Sequence, residues 1–311
     1  MCAKIEIPEA LKSDMPQNKW GKVLAATPIV MTVIATLLAG LSNSEMTRAQ
    51  YDRSLAAQQQ SKAGDQWSYF QAKRLRAALQ RNTLDLLRAN PGARPLDPQT
   101  LAARLEGTSA RTVLDSEGGR AALDCLTRGA LPKAGAERPL ASALVAAMEA
   151  VEAGQSDPEI NRLLGTVKDA ELAVALVEAA TRVRNFDALL KPMTQAIDAI
   201  EKELSRGTTD GVARDFVQAR LAYAGQRYDQ ESRQNQVVAQ LYELQVRKSN
   251  LSAERHHSRS QRFFYGMLAA QLAVIVSTFS MAARKKNFLW AIAATAGSAA
   301  VAFASYVYVY V

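Results

Sequence analysis

Residues 23 to 41 read VLAATPIVMTVIATLLAGL, nineteen positions without a charge. At about 1.5 Å per helical residue, such a stretch roughly spans a hydrocarbon core of about 30 Å. It is longer than the apolar part of a typical secretory leader, and Ser42-Asn43-Ser44-Glu45-Met46 after it is a poor small-x-small processing site. The segment therefore reads as a retained membrane anchor. Pro28 stands one turn in, where its missing N–H costs little.

Two further apolar segments close the chain, at 263–283 and 288–311. Only Arg284-Lys285-Lys286-Asn287 separates them, so they form an antiparallel helical hairpin. Trp20, Phe263, Phe264, Tyr265 and Trp290 stand at span ends, and Tyr306, Tyr308 and Tyr310 crowd the last turns, as in an aromatic belt. Ala296, Ala300 and Ala304 recur four apart, with Ala293 and Gly297 as a second row. Small residues at this spacing let helices approach closely in lipid. Gln271 is the clearest polar side chain deep in a span and reads as a contact between helices.

The fold class is all-α. It comprises one N-terminal transmembrane helix, a C-terminal transmembrane hairpin and a large extramembrane helical domain on a long-helix stalk. The expected segments are a tail (1–22), span one (23–41), a stalk helix (42–90), an inserted helical domain (91–211), a returning stalk helix (212–262), and the spans 263–283 and 288–311. The centre is rich in Ala, Gln, Arg, Glu and Leu, all strong helix formers. Asn90 to Pro95 is a breaker cluster, and Asp97-Pro98 reads as an N-cap with proline at the first helical position. Gly107, Gly118-Gly119 and Gly129 punctuate short helices, Leu131 to Pro139 is a linker, Pro139 opens a helix, and Ser156-Asp157-Pro158-Glu159 starts another. Pro192 is expected to kink or break the helix that ends near Ser205.

The returning helix shows Val217, Leu221, Ala224 and Tyr228, then Val237, Leu241, Leu244, Lys248 and Leu251, at alternating steps of four and three. These are short coiled-coil-like seams that are out of phase with each other. They predict helix pairing, with the helix from Ser44 to Ala89 as the simplest partner and the inserted helices at the tip. A homo-oligomeric bundle is the rival.

Net charge is +8. A basic soluble chain would suggest nucleic acid, but here the cations cluster beside apolar spans, where they anchor helices at headgroups; no nucleic-acid partner is expected. Lys4, Lys12, Lys19, Lys22, Arg284, Lys285 and Lys286 fall on one side of the spans. Arg48, Arg53, Arg247, Lys248, Arg255, Arg259 and Arg262 fall on the other. The tie breaks on loop length, because short loops dominate orientation. The N-terminus and the 284–287 turn are placed in the cytoplasm of a bacterial inner membrane, and residues 42–262 in the periplasm.

No catalytic constellation stands out, and no enzyme activity, cofactor or metal is expected. His256-His257 are the only histidines, and neighbours on a helix point about 100° apart. Cys2 and Cys125 show no sign of pairing, and Cys125 reads as a small buried hydrophobe. The most distinctive polar-aromatic stretch is Asp65-Gln66-Trp67-Ser68-Tyr69-Phe70-Gln71-Ala72-Lys73. Ligand contact is one reading of it. The preferred one packs Trp67 and Phe70 against the returning helix and leaves Gln71 and Lys73 in solvent.

The stretch from Lys62 to Lys73 after the first span, together with Ala282-Ala283-Arg284-Lys285-Lys286-Asn287-Phe288-Leu289-Trp290, resembles bacterial membrane proteins carrying domain of unknown function 4337. That family shows a similar S-D-x-W-x-Y-x-Q-A-K helix and a basic turn followed by Trp. The likeness covers roughly residues 1–90 and 210–311. The intervening segment looks like an enlarged insertion, and the family's acidic, His-rich tail is missing. The resemblance implies topology and no mechanism. The expected partners are the lipid bilayer and a second copy or another membrane protein. The leading function is a non-enzymatic scaffold, ahead of a ligand-responsive sensor and an oligomeric channel component.

Overall fold

A computed structural model describes residues 19–89, 94–132, 139–206, 211–282 and 286–310. Among the described residues there are nine helices and no strand: α1 (Lys19–Arg88), α2 (Pro98–Arg104), α3 (Ser109–Asp115), α4 (Glu117–Arg128), α5 (Ser142–Glu152), α6 (Asp157–Thr166), α7 (Asp169–Leu204), α8 (Gly211–Ala282) and α9 (Lys286–Tyr310). The all-α class is as the composition requires. Helices α1, α8 and α9 are long and apolar enough to cross a membrane. The tail, the breaker at 90–93, most of the linker at 133–138, and Arg284 and Lys285 lie outside the described residues.

Local chemistry sets several boundaries. Asp97 caps α2 by accepting from the backbone N–H of Gln99 and of Thr100, with Pro98 following it. The α3–α4 break falls at Ser116, whose Oγ accepts from Gly119 N at 3.1 Å. Gly118-Gly119 therefore belong to the first turn of α4. Gly119 is required there because a Cβ would run into the carbonyl oxygen of Val113. Gly129 ends α4 in the left-handed region at φ 64°. The helix expected from Pro139 begins at Ser142.

Pro192 neither breaks nor ends its helix, since α7 runs unbroken from Asp169 to Leu204. Phe186 and Leu190 before the proline and Met193, Ile197 and Ile200 after it are buried in one cluster. An interior proline costs about 3 kcal/mol. Burial of several such side chains, at about 1.5–3 kcal/mol each, outweighs it. Gly118 faces the proline, and a Cβ at Gly118 would lie 3.1 Å from the Pro192 carbonyl oxygen.

The chain divides into two compact units: Met1–Leu55 with Ser249–Val311, and Ala56–Lys248. In the first, Ala35, Leu38, Phe263, Ala270, Ala300 and Val307 form the buried cluster. Its outer faces are apolar and exposed, at Leu37, Leu272 and Phe279 among others. In the second, one cluster joins α2, α3 and α4 to the C-terminal half of α7 and to Phe216 and Tyr223 of α8. Another joins α5, α6 and the start of α7 to Val238, Leu241 and Leu244 of α8. The inserted helices thus lie along α8 instead of capping the pair at a tip. Both of their clusters are completed by α8 side chains, so the insertion shares its core with the stalk segments.

The pairing of α1 and α8 rests on a pattern the apolar reading misses. Every seventh residue of α1 is buried and mostly small: Ala35, Ser42, Ala49, Ala56 and Ala63, then Ala77. On α8 the same step gives Ser232, Ala239, Val246, Ala253 and Ser260. Leu241 and Leu244, expected to face α1, instead fill the cluster with α5–α7. Their size suits a roomy three-helix core, whereas alanine and serine suit closely spaced helices.

Candidate functional site

The most chemically loaded surface of the Ala56–Lys248 unit is a groove of about 350 Å³ where α1, α7 and α8 meet. Helix periodicity brings its walls together. Gln66, Tyr69 and Lys73 come from one face of α1, Val183, Arg184 and Asp187 from α7, and Glu231, Asn235 and Val238 from α8.

Beneath the groove lies Glu231, only 3% exposed. A carboxylate taken out of water needs partners. Lys73 Nζ supplies one and Arg227 Nε another at 2.6 Å. Arg227 also donates through Nη1 to Thr194 Oγ1 at 2.8 Å. Burial opposes the charge of Arg227, but the hydrogen bond and charge of Glu231 outweigh it, and its pKa lies above the usual arginine value. The Tyr228 ring has cations near its face, Lys73 Nζ at 5.3 Å and Arg227 Cζ at 5.7 Å from the centroid. Asp187 is the poorly served member. Partial burial, then the negative charge of Glu231, push its carboxyl above the usual aspartate range, against the pull of Lys73 and Arg227.

The polar-aromatic stretch therefore splits. Trp67 and Phe70 are half-buried and pack edge to face, centroids 5.4 Å apart, with Trp67 beside Met148 and Leu244. Lys73, expected in solvent, turns inward to Glu231 because that buried carboxylate demands a cation. In the sequence Glu231 is one acid in a helix full of charges. Its four-residue step from Arg227 was the available signal.

The span-end and packing residues are placed as follows. Lys22 is exposed. Trp20 and Lys286 lie at helix starts, and their side chains lie outside the described residues. Trp290 Nε1 donates to Thr27 Oγ1 at 3.0 Å. Phe263 is 2% exposed inside the three-helix cluster, so it is a core residue and not part of an outward belt; Phe264 and Tyr265 are the exposed aromatics there. Its alternation with them follows from the helical turn. Ala300 is buried, Ala296 and Ala304 are half-buried, and Met31 occupies the space a Cβ on Gly297 would need. Gln271 is exposed and does not face a neighbouring helix of this chain. His256 Nδ1 lies 2.5 Å from Glu45 Oε2, and His257 Nε2 3.0 Å from Gln261. Cys125 is buried against Met193, and burial raises its thiol pKa. Among the described residues no three His, Cys, Asp or Glu side chains gather as metal ligands would.

Residues 20–115 match the family described as Domain of unknown function (DUF4337). Over that stretch the chain is similar to this domain of unknown function. The match takes in all but the first residue of α1, then α2 and α3. Tyr69 and Lys73 lie within the matched stretch, whereas Asp187 and Glu231 lie beyond it. No curated protein and no solved structure matches the chain.

Proposed function

We propose that this chain is a multi-pass membrane protein that works as a non-enzymatic interaction scaffold. Helix α1, the second half of α8 and α9 would cross the bilayer, and the Ala56–Lys248 unit would present helix surfaces outside it. The observation that carries the reading is on α1. Leu75 and Leu79 are 62% and 54% exposed on a helix whose other side is buried at Ala77 and Leu84. A soluble helix rarely leaves a leucine stripe in water without a partner for it.

Membrane retention after alkaline carbonate washing tests the anchoring, and release into the supernatant would overturn it. A photo-crosslinker at Leu79, installed in cells, should give a discrete adduct that the same group at Arg74 does not. The short basic segment Arg284-Lys285-Lys286 between two apolar segments favours the cytoplasmic side under the positive-inside rule, which would put 42–262 outside the cytoplasm. Alkaline phosphatase fused near Gly154 should then be active.

A ligand-responsive role is the second reading, favoured by the groove over Glu231. It requires a small molecule that raises the melting temperature of the wild type and has less effect on Tyr69→Ala, whose side chain is 58% exposed at the rim.

A further inference from the structure

We propose that the leucine stripe of α1 binds the same stripe on a second copy of this chain, side by side and in the same direction, with Asn82 facing Asn82. The inference rests on the reading of the chain as membrane-anchored and names the partner that reading leaves open.

Ala72, Leu75, Leu79, Asn82 and Leu86 follow one another at steps of three, four, three and four. All five are exposed. That spacing draws a seam along one face of a helix and is the pattern by which two helices interlock their side chains. It occupies the side of α1 away from Ala77 and Leu84, so α8 does not compete for it. Every residue of the seam is uncharged. Arg76 stands at one edge and Asp85 at the other, so neither a strongly acidic nor a strongly basic partner is matched. Arg81 lies on the opposite, α8-facing side, held by Asp229 at 3.0 Å, and so does not charge the seam.

Asn82 gives the choice of partner. Its amide carries donors and an acceptor. An apolar partner helix would bury it unsatisfied, whereas an identical asparagine across a two-fold axis satisfies both groups. The spacing puts Asn82 at a d position, and the register that sets it against its own copy is the one in which its amide finds donors and an acceptor. Direction follows from the anchor: two copies in one bilayer enter it through the same segment of α1, so their α1 helices run the same way. The two-fold then stands along the membrane normal, and the interface is isologous. The seam is short, little more than two heptads. Helix α1 is already formed, so little ordering cost remains. Confinement to one membrane raises the effective concentration that so short a seam needs.

The test uses the full chain in membranes, with Cys2→Ser and Cys125→Ala as background. Single cysteines replace Leu79, Asn82 or Arg74, and copper-phenanthroline oxidises them. Leu79→Cys and Asn82→Cys are expected to give a dimer of the chain several-fold more abundant than Arg74→Cys gives. In mild detergent, Asn82→Lys, which places like charges across the axis, is expected to shift the dimer to monomer. Its helix content and melting should be unchanged, since Asn82 is an exposed position on α1. Equal crosslinking at Arg74 and Asn82, or an Asn82→Lys protein that remains dimeric, would overturn the proposal. A crosslink from Leu79 to a different polypeptide would also overturn it, while leaving the scaffold reading standing. Release of the chain by carbonate would instead remove the anchoring on which both depend.

Discussion

Ser42 and Ser260 each donate a hydroxyl to the other's backbone carbonyl, Ser42 Oγ to Ser260 O at 2.9 Å and Ser260 Oγ to Ser42 O at 2.8 Å. Both are buried, and their oxygens lie 3.2 Å apart. Only small side chains allow this approach. Each hydroxyl contributes about 0.5–1.5 kcal/mol. Ser260→Ala should therefore lower stability modestly, and Ser42→Leu far more, because it drives the helices apart. Thermal inactivation of a fluorescent fusion in detergent measures both, and a harmless Ser42→Leu would refute the close contact.

At Gly297 the side chain of Met31 already fills the place of a Cβ. Gly297→Ala should destabilise the three-helix cluster by about 1 kcal/mol, the low end of overpacking costs, because the atoms displaced are Sδ and Cε at the flexible end of Met31. Combining it with Met31→Ala should cost less than the two changes summed. Additive costs in the double-mutant cycle would show the two residues to be uncoupled.

Glu231→Gln should be among the most damaging single changes in the Ala56–Lys248 unit. It strands Lys73 and Arg227, two cations that are only 24% and 23% exposed. Breaking a buried pair costs about 3–5 kcal/mol. Circular dichroism melting reads the loss, and a change within error would contradict the burial of this carboxylate.

Asp187 has its pKa raised by burial and by Glu231. The folded state therefore holds its proton more tightly than the unfolded chain does. Its contribution to stability is fully present below the unfolded pKa, about 3.9, and is lost as pH rises through the higher folded value. Asp187→Asn should thus raise the melting temperature at pH 7 and lose that advantage as the pH falls towards about 4. In the Glu231→Gln background the gain should shrink, because the second cause of the shift is gone. A gain independent of pH would rule out this origin.

How much of this was legible beforehand follows from what each feature depends on. The three apolar spans depend on the absence of charge over about twenty positions, which one sequence shows directly. The Asp97-Pro98 cap depends on residues next to one another and was equally plain. The unbroken α7 was not, because what outweighs Pro192 is a cluster drawn from helices distant in sequence. The α1–α8 pairing does not run through the leucines and valines that hydropathy singles out; its contact runs through alanine and serine, residues whose message is size and not hydropathy. The groove was half visible. Tyr69 and Lys73 lie in a stretch that stood out, but Asp187 and Glu231 look like surface charges until α7 and α8 are placed.

An evenly ruled scale cannot say where it begins. Alanines recurring every seven residues fit their partner almost as well one repeat along, so such a seam brings helices close without telling them how far to slide. The marks that break the monotony are polar. In one unit Ser42 meets Ser260 and Glu45 meets His256, and in the other Lys73 meets Glu231. In an alignment slipped by one repeat Ser42 would face Ala253 or Met267, and Lys73 would face Ala224 or Val238, so those pairings would be lost. Their part in this molecule is to number the scale.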